Sequence, residues 1–214
     1  WVGSARISAP STTVDLYLWN GTGLSGTVYW DMNANGKVDS GEGVAGARID
    51  LVDSVGQRTV TVAGPAGAFS LTLFNNRTYS GTVTADGFAP VAISGQTPSE
   101  IGPAVTYALS PLPISLTGTV LLNGTPILNR ALGLQALARS EGAQSASGTT
   151  RPDGTYSLSL IPGSYDLVVD ENVTPGSNTW RYQNRGADRV TLNVDSAGVA
   201  YVIPIVARAL VKGN

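Results

Sequence analysis

Two residue types are missing altogether: the chain has no Cys and no His. Without Cys there is no disulfide, no thiol nucleophile and no iron–sulfur cluster. Without His there is no Ser-His triad, no imidazole acid–base chemistry and no His-ligated zinc. Charge is scarce as well. Only 13% of the 214 residues are Asp, Glu, Lys or Arg, against roughly 25% in an ordinary globular chain. With 13 basic and 15 acidic residues the net charge is −2, so no broad basic field exists to hold nucleic acid or an anionic membrane. No apolar run approaches the roughly 20 residues that a membrane-spanning helix needs. A chain that opens on Trp1 instead of Met reads as a fragment or a processed product, from which any leader has been removed.

What is present is apolar and turn-forming: 42% hydrophobic residues, 26 Gly and 12 Pro. The length fits two domains of ordinary size, each able to bury a core. The apolar residues alternate. Val14, Leu16 and Leu18 do so; so do Ile49 with Leu51, then Phe69, Leu71 and Leu73, and then Tyr156, Leu158 and Leu160. A period of two puts one face of a strand inward and the other toward water. Turn pairs punctuate these runs: Asn35-Gly36, Asp86-Gly87, Asn123-Gly124, Asp153-Gly154 and Pro162-Gly163. Many short strands with frequent turns predict an all-β fold of antiparallel sandwiches. The stretch from Asn129 to Ala143 has helical propensity, yet Leu132 to Ala138 reads as a strand because the repeat below aligns it with one.

The chain contains itself twice. Leu24-Ser-Gly-Thr-Val28 matches Leu116-Thr-Gly-Thr-Val120, and Gly67-Ala-Phe-Ser-Leu71 matches Gly154-Thr-Tyr-Ser-Leu158. Tyr79 matches Tyr165, and Val105-Thr-Tyr-Ala-Leu109 matches Val199-Ala-Tyr-Val-Ile203. The period of about 90 residues exceeds the roughly 20–50 of a solenoid repeat, so each copy is a domain. The expected organisation is an N-terminal extension over 1–22, a first sandwich over 23–111 and a second over 112–214. The prolines of Ser110-Pro-Leu-Pro113 stiffen the joint. The second copy carries an inserted loop around Thr174 to Arg189.

The second copy resembles the carboxypeptidase-regulatory-like, transthyretin-like domain, through Leu116-Thr-Gly-Thr-Val120, Thr150-Arg-Pro-Asp-Gly-Thr-Tyr-Ser-Leu158 and Ile161-Pro-Gly-Ser-Tyr-Asp-Leu-Val-Val169. The first resembles the related B-type repeat of bacterial surface adhesins, through the run from Leu24 to Val52 that holds Tyr29-Trp-Asp-Met-Asn-Ala-Asn-Gly-Lys37. Both resemblances imply a seven-stranded Greek-key sandwich used as an extracellular spacer, stalk or adhesion module. Some adhesin domains of this kind cross-link a Lys to an Asn. Here Lys occurs only at 37, inside a loop, and at 212, near the end, so no such bond is expected.

One constellation carries chemistry. Asp31, Asn33, Asn35, Asp39 and Glu42 stand at positions 1, 3, 5, 9 and 12 of a calcium loop, Gly36 at the sharp turn of position 6, and Lys37 at position 7, where only the main-chain carbonyl is needed. The expectation is a structural Ca2+; the alternative is an Asn/Asp/Gly turn that merely joins two strands. The flanks are strands, so no helix pair opens as in a calcium sensor. In the second copy Leu121-Leu-Asn-Gly124 replaces the loop, and no ion is expected there.

No catalytic set is expected: the acidic pair Asp170-Glu171 lies in a loop, and neighbouring strand residues face opposite ways. Four sequons, at Asn20, Asn76, Asn123 and Asn172, would be surface glycan acceptors in a secreted chain or simply turn residues. Trp19, Tyr29 and Trp30, or Trp180 and Tyr182 in the inserted loop, would stack on a sugar or pack in a core. A strand at Val14 to Trp19 lies outside both copies and needs a partner. It either edges its own domain or enters a neighbouring subunit. Pro204 in the C-terminal apolar run implies an edge or a bulge. The resulting expectation is a non-enzymatic, extracellular cell-surface protein. It would be a subunit or stalk of a filament, surface layer or adhesin that self-assembles. The alternative is a carbohydrate- or partner-binding module of a larger secreted protein.

Overall fold

The computed structural model describes residues 21–102, 104–170, 180–184, 188–193 and 198–209. Sixteen strands and a single-turn helix fall among them, and the fold is all-β as the alternation predicts. The strand expected at Val14 to Trp19 lies outside the described residues. Two compact units divide the chain. Of the described residues, the first takes those up to Tyr29 with Gly43–Thr84 and Pro90–Tyr107; the second takes Trp30–Glu42, Ala85–Ala89 and those from Ala108 on.

The first unit holds β1 (Gly21–Tyr29), β2 (Arg48–Asp53), β3 (Arg58–Val62), β4 (Ala68–Phe74), β5 (Tyr79–Thr84), β6 (Val91–Gln96), α1 (Pro98–Ile101) and β7 (Ala104–Ala108). They form two sheets, β4-β1-β7 and β3-β2-β5-β6. Alternation decides what is buried: on β2, Ile49 and Leu51 are 1% exposed while the adjacent Val52 is 43% exposed. The β2–β3 hairpin is closed by Asp53, whose Oδ1 accepts from the main chain of Val55 and Gln57 and whose other oxygen meets Arg77. Thr97 and Glu100 cap α1 reciprocally, the side chain of each bonding the main-chain N–H of the other.

The second unit holds β8 (Ile114–Leu122), β9 (Thr125–Pro126), β10 (Gly133–Ala138), β11 (Ala146–Thr149), β12 (Thr155–Leu160), β13 (Gly163–Asp170), β14 (Trp180–Asn184), β15 (Asp188–Leu192) and β16 (Val199–Ala209). The strand expected over Leu132 to Ala138 is observed from Gly133 to Ala138, and Leu134 and Ala136 enter the core. That core joins Leu116, Val120, Leu158, Tyr165, Leu167 and Ile203, each at most 5% exposed.

The repeat is a repeat of hydrogen bonds. In β1–β4, Leu24 pairs with Leu71 and Gly26 with Phe69; in β8–β12, Leu116 pairs with Leu158 and Gly118 with Tyr156. Val28 N donates to Gly67 O and Val120 N to Gly154 O, at 2.8 and 2.9 Å. Gly26 and Gly118 are required for the same reason. A Cβ there would lie 2.2 Å from the Val105 carbonyl oxygen in one unit and 1.7 Å from that of Tyr201 in the other, and within 3 Å of the Phe69 or Tyr156 ring. The paired tyrosines also tie their own turns: Tyr79 Oη accepts from Phe74 N at 2.8 Å, and Tyr165 Oη donates to Ile161 O at 2.9 Å.

Two sequence expectations are corrected. Val105 aligns by sequence with Val199, but its carbonyl occupies the place of Tyr201. The strand has slid by two residues, a shift that leaves the inward set unchanged and is therefore invisible to a period-two pattern. The insertion of the second copy, read as a loop, contains β14. This strand pairs with β13 at Asp170–Gln183 and with β16 from Trp180–Ala209 to Asn184–Ile205, so the whole unit becomes one continuous sheet, β11-β10-β13-β14-β16-β8-β12. Pro204 pairs with β8 just before the β14 ladder begins at Ile205, where a missing N–H costs no second ladder bond.

Candidate functional site

Beyond β1 the strand continues as a ladder: Tyr29 bridges Gly43, Trp30 N donates to Glu42 O at 2.8 Å and Val44 N to Val28 O at 2.8 Å. The second unit repeats the last of these bonds, with Ile127 N donating to Val120 O. There the hairpin closes at once through Asn123 and Gly124, at φ 50° and 83°, between Leu122 and Thr125, the geometry of a two-residue type I′ turn. In the first copy the same place holds residues 31–41.

That segment is wound by its own side chains. Asp31 Oδ1 accepts from Asn35 N at 3.0 Å and Oδ2 from Gly36 N at 2.8 Å. Gly36 has φ 72°, a conformation that glycine adopts without strain. Asn33 Oδ1 accepts from Asn35 N, and Asn35 Oδ1 from Lys37 N at 2.7 Å. The amides of Asn33 and Asn35 donate to Asp39 Oδ2 at 2.8 and 2.6 Å and, in that order, hold the Asp39 carboxyl below its usual value. Glu42 closes the loop from below: Oε1 accepts from Met32 N and Oε2 from Asp39 N, both at 2.9 Å. Glu42 is 4% exposed, whereas residues 33–41 are open to water.

The structure thus brings five of the six candidate residues into one hydrogen-bonded loop by their side chains and Lys37 by its main chain. Among the described residues, no three His, Cys, Asp or Glu side chains converge closely enough to hold a metal by themselves. A cation here would draw on the carboxylates of Asp31, Asp39 and Glu42, on the carbonyl of Lys37 and on the amide oxygens of Asn33 and Asn35. A half-turn of each Asn side chain exchanges its amide nitrogen for oxygen, so the residue types suit a hard, oxygen-seeking ion.

Asn76 and Asn123 are exposed in turns; Asn20 and Asn172 lie outside the described residues, as do Trp19, Glu171 and Lys212. Trp180 and Tyr182 lie on β14 rather than in a loop. Tyr29 is buried and Trp30 meets Phe88 edge to face, with ring centroids 6.1 Å apart. The sequence reading missed the neighbours of the loop's apolar residues. Trp30 and the chain's single Met, Met32, lie against Gly142. Two bulky apolar residues at the entrance of an otherwise polar loop were the available signal.

No family model and no curated protein matches the chain. Among solved structures it is similar to the Bacillus anthracis TIE protein at 13% identity and a TM-score of 0.42, over 86% of this chain but only 34% of that one. It is similar to the shaft pilin SpaA of Lactobacillus rhamnosus GG at 9% identity and 0.34, over 90% of this chain and 100% of that one. The minor pilin GBS52 of Streptococcus agalactiae gives 12% and 0.35, over 90% and 99%. At such scores the likeness is loose and assigns neither a partner nor a site.

Proposed function

We propose that this chain is a structural segment of an extracellular assembly, a subunit or stalk of a cell-surface filament, surface layer or adhesin, with Ca2+ as a structural ion in the loop 31–42. The observation that supports the reading best is the duplicated scaffold. The same register, the same glycine–carbonyl contact and the same tyrosine tie are built twice in tandem, in a chain without His or Cys. Such a molecule offers neither a thiol nor an imidazole for chemistry. Transthyretin-like and B-type-repeat modules fit this role. Among the described residues β7 stands at the end of its sheet order and carries no charge, which makes it the edge proposed to take an added strand. Val14 to Trp19 of a neighbouring copy is the strand proposed to add there.

Electron microscopy of the purified chain at rising concentration tests assembly, with and without residues 1–22. Filaments that vanish on truncation support strand donation; a chain that stays monomeric in both forms overturns it. Thermal melting tests the ion. At a calcium concentration of a hundred times Kd the folded state gains about 2.7 kcal/mol, a rise that chelation and Glu42→Gln both abolish. An unchanged melt makes the loop a plain turn. A second reading, a carbohydrate- or partner-binding module, draws on β14, the strand by which the second unit departs from the first and which carries Trp180 and Tyr182. Polysaccharide retention lost in Trp180→Ala would favour it.

A further inference from the structure

We infer that the loop 30–42 is a clasp seated on the turn at 140–143, with the Glu42 side chain as its latch. All the residues concerned belong to the second unit. Gly142 has φ +76°, and a Cβ there would lie 3.0 Å from Trp30 Cζ2 and 3.2 Å from both Met32 Cβ and Cγ. The absence of a side chain is what lets an indole edge and a thioether arm rest on the turn. Trp30 is braced from the other side by Phe88, in an edge-to-face contact at 70°. Phe88 is 8% exposed and bridges Pro111, with Leu112 N donating to Gly87 O at 2.7 Å.

The seat is itself tied down. Ser140 Oγ accepts from Ser164 N at 2.9 Å, Ser140 O from Ala143 N at 3.3 Å and Ser164 O from Arg139 N at 2.8 Å. Glu42 holds both residues that touch Gly142. Its main-chain carbonyl accepts from Trp30 N and its Oε1 from Met32 N, while Oε2 pins Asp39 N. Releasing the carboxylate frees Met32 and unseats the loop, so the turn at 140–143 senses the state of a side chain about 100 positions away in sequence by packing alone. The clasp does not depend on the calcium reading, because every contact it uses is made by the protein.

Amide hydrogen exchange on the full chain, resolved by NMR, tests it. Glu42→Gln is expected to speed exchange at Met32 and Asp39, and together with them at Arg139, Ala143 and Ser164, by about tenfold, with β8 and β12 unchanged. Gly142→Ala is expected to act in the reverse direction, speeding Met32 and Asp39. Faster exchange confined to the loop in the first variant, or to the turn in the second, overturns the clasp. Should Glu42→Gln also loosen β8 and β12, Met32→Ala replaces it, with faster Arg139, Ala143 and Ser164 expected and unchanged rates overturning the proposal. Calcium added to the native chain separates the two ideas: if it alters no rate while the variants move both regions, the ion fails and the clasp stands.

Discussion

The two copies of the repeat differ most at two hairpin ends and share the paired strands behind them. Between equivalent strands, the first copy has eleven residues at 31–41 where the second turns on only two, Asn123 and Gly124, an excess of nine; the second copy has β14 where the first passes directly through 85–89. Phe88 and Pro111 nevertheless form an antiparallel bridge, a one-residue version of the β14–β16 ladder. The difference teaches where this scaffold tolerates change. Hairpin ends accept an insertion because they leave the ladder behind them intact, whereas the contact of Gly26 and Gly118 with the neighbouring strand admits no atom.

Substitution at those glycines therefore carries the largest expected effect. Gly26→Ala and Gly118→Ala force a Cβ into a carbonyl oxygen, and each should destabilise its unit by about 3 kcal/mol or more, read by urea denaturation. Unequal losses would break the equivalence of the two contacts. Next come Leu24→Ala and Leu116→Ala, at 4% and 0% exposure, each costing about 2–5 kcal/mol. The better-buried Leu116 should lie higher in that range. Smaller still, Tyr79→Phe removes the hydroxyl bond to Phe74, a loss of about 1 kcal/mol, and Tyr165→Phe removes the bond to Ile161 together with one to the main chain of Gln144, a loss of about 1–2 kcal/mol; a null effect at either would show that its tie does not hold the turn.

Acid sharpens the comparison last. Arg58, helped by Arg48, pulls Asp50 down to about 2. In the second unit Arg189, with Arg139, holds Asp166 below its usual value against the opposing effect of burial. A carboxylate depressed in the folded state contributes stability that is complete above its unfolded pKa of roughly 4 and is lost as pH falls through the folded value. Both units should therefore weaken as pH falls below about 4, the first unit until about pH 2, where Asp50 is protonated. Asp50→Asn should flatten that slope for the first unit alone, measured by denaturation at each pH.

Much of this was legible from residues alone. Ile49 and Leu51, or Leu158 and Leu160, declare a buried face because strand geometry is local and has a period of two. The repeated Leu-x-Gly-Thr-Val run located equivalent strands because the same packing needs the same residues twice. The loop at 31–42 was visible because its side chains bond to one another within a dozen positions. Trp30 and Met32 were visible only as apolar residues without a destination, since Gly142 lies far along the chain.

By itself, then, the sequence determined the all-β class, the tandem repeat, the turn positions and the chemistry available to the loop, all properties of residues close together in the chain. Tertiary structure decided the two-residue slide between β7 and β16, the conversion of an insertion into β14, and the seat of the loop on Gly142. A slide by two preserves every inward side chain, and a contact between distant segments depends on shape complementarity that no local period records.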